Sequence, residues 1–327
     1  MALRRCAEGH IIQDDQTFWG AISMLDAIVG FFTGILYAFF NFFYAIFHAN
    51  SWLDWLSWGN TAEDKQSLMR FIYYGGSGEF FFVVIAISLL VVIAGIVWNK
   101  FGWGIVRVLE GVANTIGRFF AWAGLIMVLQ QIVIIFIQRI FLSADISVGF
   151  GMIFSKDISW WAEELKLFNA LVVALCCTYT FVQGGHVRVD LVYSAVSFRT
   201  KKIIDMLGSI FFMMPLAILI WLYSWFFLWR HLIVPNPSAS DTLDRLLNKS
   251  RALRWNVETI GFSPNGFNAY FLFKILIVAF CALVFLQAIA FFMRSYLELK
   301  EGPESEGKYL DKDVLGDADA ELVADIH

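Results

Sequence analysis

The chain has 327 residues, 59% hydrophobic, 17% aromatic and only 16% charged, with a formal net charge of −4 and a mean hydropathy of +0.67. A water-facing domain carries about 25% charged residues, so an ordinary soluble fold is excluded, and a polytopic all-α membrane protein is expected instead. No nucleic-acid partner is expected.

Arg4 and Arg5 suit the basic start of a secretory signal, yet the first apolar run is too long for one and no small-residue cleavage site ends it. That run is read as retained. Six stretches approach the roughly 20 apolar residues a crossing helix needs: Ala27–Phe47, Phe80–Trp98, Phe119–Gln138, Leu167–Gln183, Met206–Trp229 and Phe271–Met293. Helix is forced, because a lone strand leaves backbone groups unpaired in lipid. The runs are continuous rather than alternating, which excludes an outer-membrane barrel.

Between the runs, Ser51–Trp58 mixes Trp and Leu with one Asp, as an interfacial segment does. The stretch from Lys100 to Arg118 spaces Val and Ile between basic residues and predicts a membrane-surface helix. The acid-rich chain from 296 to 327 predicts a disordered tail. Two of the six spans fall within residues 1–110 and four within residues 111–295.

Six spans put both termini on one side. Up to residue 230, nine basic residues fall on that side (Arg4, Arg5, Lys100, Arg107, Arg118, Arg188, Arg199, Lys201, Lys202) against five opposite (Lys65, Arg70, Arg139, Lys156, Lys166). The excess predicts cytoplasmic termini, although Arg245, Lys249, Arg251 and Arg254 then load the outer loop and offset most of the bias.

Buried intramembrane charge is the usual sign of an ion or substrate pathway, and the six runs are nearly devoid of it. Lys274 lies a turn from a helix end, where its stem can snorkel outward; Asp26, Glu79 and Arg139 also sit at span ends. Pro215 predicts a kink. Cys6, Cys176, Cys177 and Cys281 have no disulfide or metal spacing. His10, His48, His186, His231 and His327 form no haem or metal pair, and no nucleophile triad or phosphate loop appears. Neither enzyme activity nor a cofactor is expected.

Two charged clusters remain. In "SWWAEELKLF", Ser159 is placed to cap the fourth span, Glu163 and Glu164 fall in its favoured first turns, and Trp160 and Trp161 suit the interface. The same Glu pair also suits contact with a partner subunit. In "GGHVRVDLVYS", Gly184 and Gly185 end the helix, Arg188 anchors the loop, and Asp190 caps a short amphipathic helix. An Asp adds nothing to a positive-inside signal, so Arg188 and Asp190 are either a topology anchor or a pairing site within the chain or with a partner.

Together these residues resemble the small membrane subunit, DctQ-type, of tripartite ATP-independent periplasmic (TRAP) transporters. Trp161, Glu163 and Glu164 match that family's second-helix start; Gly185, His186, Val187, Arg188, Val189 and Asp190 match its loop. Asp205, Gly208, Pro215 and Trp225 are similar to its third helix, and Lys274, Gln287 and Arg294 to its fourth. The similarity covers roughly residues 115–295. Val278 stands where the family usually has Pro, and the outer basic loop is longer; the resemblance implies a four-helix core over residues 111–295, to which residues 1–110 add an extension with two further spans and no counterpart.

The resemblance implies a non-catalytic scaffold in the bacterial inner (cytoplasmic) membrane. Its partners would be a large TRAP permease subunit, a periplasmic substrate-binding protein and membrane lipids. The complex would import an organic acid, a dicarboxylate or other carboxylate, on a sodium gradient. Gly208, Ser209, Ala174 and Ala195 are candidate close-approach positions. Arg251 and Arg254 suit docking of the binding protein or lipid headgroups. A structural anchor for a redox or signalling partner is the alternative.

Overall fold

The computed structural model describes residues 24–148, 154–184, 196–256, 267 and 269–311. Helix α1 (Met24–Phe47) leads through α2 (Asn50–Leu53) and a 3-10 turn (Asp54–Ser57) into α3 (Ala62–Gly75). α3 begins at a capping box: the Thr61 hydroxyl accepts from the Asp64 N–H at 3.2 Å, and the Asp64 carboxylate accepts from the Thr61 N–H at 3.0 Å. Those bonds, the backbone one foremost, hold the Asp64 carboxyl below its usual range.

α4 (Gly78–Val97), capped by Ser77, is followed by α5 (Asn99–Arg139), with Trp98 alone between them. A short hairpin, β1 (Asp145–Val148) on β2 (Phe154–Asp157), precedes α6 (Ile158–Gln183). Next come α7 (Phe198–Gly208), a π turn (Ser209–Met213) and α8 (Met214–Leu232), then the outer loop with β3 (Ile233–Val234), α9 (Leu243–Lys249), a 3-10 turn (Ser250–Ala252) and β4 (Arg254–Trp255). α10 (Tyr270–Glu301) and a 3-10 turn (Pro303–Ser305) complete the described chain.

The all-α membrane fold is borne out. Six helical stretches are long and apolar enough to cross a bilayer: Ile28–Phe47, Gly78–Val97, Asn99–Arg139, Ile158–Gln183, Phe198–Leu232 and Tyr270–Glu301. Phe119, Trp122, Phe211 and Phe212 lie exposed on them, an arrangement suited to lipid and costly in water.

Three local expectations are corrected. The surface helix expected at Lys100–Arg118 is continuous with the third span in α5, whose 41 residues reach about 61 Å, twice the ~30 Å hydrocarbon core. No proline interrupts it, and one stripe (Trp103, Val106, Glu110, Ala113, Asn114, Gly117) is buried along its first half. A boundary between residues 110 and 111 therefore falls inside a helix. The cap of α6 is Asp157, whose carboxylate accepts from the Ser159 N–H at 3.1 Å; Ser159 itself lies within the first turn. Residues 296–311 are folded, as α10 and the turns after it, while 312–327 lie outside the described residues. Pro215 stands just after a π turn, whose wider backbone makes room for the proline ring; a proline and a π turn are both ordinary causes of a kink.

Gly184 ends α6 in the left-handed conformation at φ 73°, as expected for a glycine C-cap. Of the close-approach candidates, Ser209 is fully buried, Ala174 half-buried, Gly208 faces open space, and Ala195 lies outside the described residues. The tightest helix contact is elsewhere: a Cβ at Gly117 of α5 would come 2.1 Å from the Tyr179 Cβ of α6.

Two apolar cores lie at opposite ends, named outer and inner from the expected topology alone. The outer one joins Leu68, Met69 and Ile72 of α3 to Trp225 and Trp229 of α8 and to Ile233, Leu246 and Leu253 of the outer loop. The inner one joins Trp103 and Val106 of α5 to Ile289, Met293 and Leu297 of α10. The extension is thereby part of the core. The last carbonyls of α3 have no intrahelical donor, and α8 supplies two: the Trp225 indole N–H donates to Ile72 O and the Trp221 indole to Gly75 O, both at 2.9 Å.

Gly117→Ala is expected to lower thermal stability in detergent by about 1–3 kcal/mol through overpacking. Gly111→Ala, whose new methyl meets open space, should be neutral or stabilising by up to ~1 kcal/mol. Equal melting temperatures for the two variants would show that the α5–α6 contact is not tight.

Candidate functional site

The expected residues separate into three places. At the outer end of α6, the Glu163 carboxylate accepts from the Tyr270 hydroxyl of α10 at 2.7 Å and pairs with Lys166 at 2.8 Å. Gln130 of α5 donates to Glu164 at 3.2 Å and to the Trp161 carbonyl at 3.4 Å. The Trp161 ring stands edge-on to Trp160, whose other neighbour is Phe267. Trp161, Glu163 and Glu164 thus tie the starts of α6 and α10 to α5, which is an intrachain task.

Lys274 does not snorkel. It is buried at 7% exposure on the face of α10 toward α8, with its ammonium 4.9 Å from the Phe227 ring centre. Four residues of α10 precede it, and the packing of α8 against that turn encloses the side chain. Arg251 and Arg254 are exposed on the outer loop, whose backbone is anchored by Leu246, Ile233 and Leu253 in the outer core. Lys249 of the same loop is occupied by Asp241 at 2.6 Å. His186, Arg188 and Asp190 lie outside the described residues.

The largest polar assembly was not foreseen. Arg294 of α10 grips Glu110 of α5 with two parallel bonds, Nε to Oε1 at 2.6 Å and Nη2 to Oε2 at 2.5 Å. Its Nη1 also reaches Glu298 at 3.2 Å, and Glu298 pairs with Lys202 of α7 at 2.6 Å. Two acids and two bases alternate, each residue no more than 8% exposed. Bidentate geometry and internal neutrality make such burial tolerable. Arg294 lies 24 residues into α10, about 36 Å from its start and so beyond a ~30 Å core. The network therefore lies near the far end of α10 and not at the bilayer centre.

The chain after α10 folds over this network. Arg294 Nη1 donates to Lys308 O at 3.1 Å and the Gly307 N–H to Glu298 at 3.1 Å. Asp311 accepts from Arg118 at 2.8 Å and Asn114 at 3.2 Å, and its carbonyl accepts from Asn114 and from Gln183 of α6. The Arg118 bond, aided by Asn114, holds the Asp311 carboxyl below its usual value. Glu301 draws the Lys308 ammonium upward at 2.9 Å. One signal was available in the sequence: Glu110 stands at helical spacing in a stripe of Trp103, Val106, Ala113 and Gly117, where an apolar residue belongs. Its partner 184 positions away was not readable.

Among the described residues, no group of three or more His, Cys, Asp or Glu is placed to hold a metal ion. What the arrangement does is bracing: α5, α7 and α10 are locked by charge inside, and α3 to α8 by indoles outside.

Arg294→Met is expected to cost about 3–5 kcal/mol, because it strands the buried Glu110 carboxylate; adding Glu110→Met should recover most of that loss. Thermal unfolding of both variants decides it. Because the folded Asp311 carboxyl is depressed, its contribution is complete above the ordinary value of 3.8 and is lost as pH falls through the lower folded value. Hydrogen-exchange protection of residues 302–311 should hold at neutral pH and fall only below that point; loss above it would locate the control elsewhere.

Comparison with known families adds one finding: residues 147–240 match the model for the tripartite ATP-independent periplasmic transporters, DctQ component. No curated protein and no solved structure matches the chain. The match holds Trp161, Glu163, Glu164, His186, Arg188 and Asp190, and leaves Lys274, Arg251, Arg254 and the whole extension outside. It is narrower than the similarity drawn over residues 115–295. Within those bounds the resemblance is borne out: residues 147–240 match the DctQ component of the tripartite ATP-independent periplasmic transporters.

Proposed function

We propose that this chain is a static membrane scaffold for a large TRAP permease subunit, in a complex that imports an organic acid on a sodium gradient with a periplasmic binding protein. It lies in the inner membrane with both termini cytoplasmic. The observation that carries this reading, beside the family match, is where charge sits. The buried ion pairs lie at the inner end of α10 and the Glu163–Tyr270 contact at the outer end. Each is satisfied within the chain, as suits a brace rather than a carrier. In lipid, a brace works by close packing of pre-folded helices.

The extension enlarges that brace. α3 and the outer loop form one body through Leu68, Ile72 and Leu246, and this body presents Arg251 and Arg254 on its surface. Their role is to attract an acidic face of the binding protein. Trp161, Glu163, Glu164 and Lys274 serve rigidity, and Arg188 with Asp190 serves assembly.

The full chain is expected to co-purify with the large subunit and to transport nothing alone in proteoliposomes; uptake by the isolated chain overturns the proposal. Arg251→Ala with Arg254→Ala should leave assembly intact while raising the binding-protein concentration needed for uptake, with a weaker salt dependence than the parent. Unchanged uptake and salt dependence would remove the docking role. Deletion of residues 1–49 should preserve the complex, since α1 packs chiefly on α4. Deletion of 1–110 should abolish accumulation, since it removes Glu110, Trp103 and Val106.

A further inference from the structure

A laterally open groove of about 840 Å³ lies between α4, α5, α8 and α10. Short side chains create it, one from each helix: Ser88, Gly104, Ala217 and Ala282. A Cβ at Gly104 would meet nothing within 4 Å. Along α4 the lining runs from Phe80 to Val91, about 17 Å, close to one leaflet of a ~30 Å hydrocarbon core. Phe80 stacks on Trp221 at one end, their ring centres 6.0 Å apart. Lys100 stands at the other end, just after the α4–α5 break.

The two ends differ in chemistry. Lys100 is exposed and, among the described residues, pairs with no carboxylate. A second ammonium, Lys300, sits on the same turn, donating to Ile96 O at 3.2 Å and to the Asn99 side chain at 2.8 Å. Residues 95–103, "GIVWNKFGW", contain no acid. Glu301, next in sequence to Lys300, is already engaged by Trp103 and Lys308. The groove thus offers apolar walls within the spans and positive charge at the inner interface.

We propose that this groove is a binding site for one anionic membrane phospholipid, with its acyl chains along Gly104 and Ala282 and its phosphate at Lys100. A partner helix fits less well. An apolar helix face leaves Lys100 without a counter-charge. A phospholipid matches both ends: its acyl chains suit the apolar walls and its phosphate suits the ammonium, and the open side of the groove leaves room for chain beyond it. α4 and the Lys100–Leu109 stretch of α5 lie outside the family match, so the site needs this chain's extension as well as α8 within the match.

The test is native mass spectrometry of the purified full chain after exchange into detergent containing equal dipalmitoyl phosphatidylglycerol and phosphatidylethanolamine. The wild type should retain one phosphatidylglycerol, preferred about fivefold, the ~1 kcal/mol one lysine contributes at an anionic surface. Lys100→Gln should keep a bound lipid but lose the preference. Gly104→Phe should lose both lipids while melting as the wild type does, and Ala282→Leu should repeat the loss from the opposite wall. Retention unchanged in both filled variants, or a preference that survives Lys100→Gln, overturns the proposal. So does a photoreactive residue at position 104 that cross-links in cells to the large subunit instead of lipid.

Discussion

A guanidinium that leaves water must take its counter-charge with it, and Arg294 does so twice, with Glu110 and Glu298. Most of the inner half depends on this requirement. Glu110 fixes the rotation of α5 against α10, and Glu298 reaches Lys202 and so places the start of the fifth span. The turns after α10 lie where they do because Gly307 and Lys308 complete the hydrogen bonding of the same two side chains. Removing Arg294 leaves Glu110 buried and unpaired, whereas Glu298 would keep Lys202 and Lys202 also reaches Glu306, so the guanidinium is the charge the network can least lose.

The outer half solves a different problem with different groups. There the groups to be satisfied are backbone carbonyls at the end of α3, and tryptophans are suited to the task because each brings an apolar body with one donor. Trp221 and Trp225 cap α3, and their rings, together with Phe71 and Trp229, build the aromatic layer beneath the outer loop. The extension and the DctQ-matching segment therefore share a core.

Much of the architecture was legible because transfer into hydrocarbon depends on local composition: 20 apolar residues cross wherever they occur. Local capping was nearly legible as well, with Gly184 found as expected and the α6 cap displaced by two residues to Asp157, which competes with Ser159 for the same role. Lys274 was misplaced for a definite reason. Distance from a helix end says how far a side chain must reach, but not whether another helix stands in the way. α5 was divided in two because its first half looks interfacial by composition, although nothing in it breaks a helix.

What the sequence by itself determined is the class of solvent, the six spans and the DctQ-like segment, since each depends on residues near one another along the chain. The tertiary structure alone decided that Glu110 meets Arg294, that α3 ends under two indoles, and that small residues on four helices leave a groove above Lys100. These outcomes depend on which faces of distant helices come together. That choice is made by long-range packing and charge neutralisation, which no local pattern encodes.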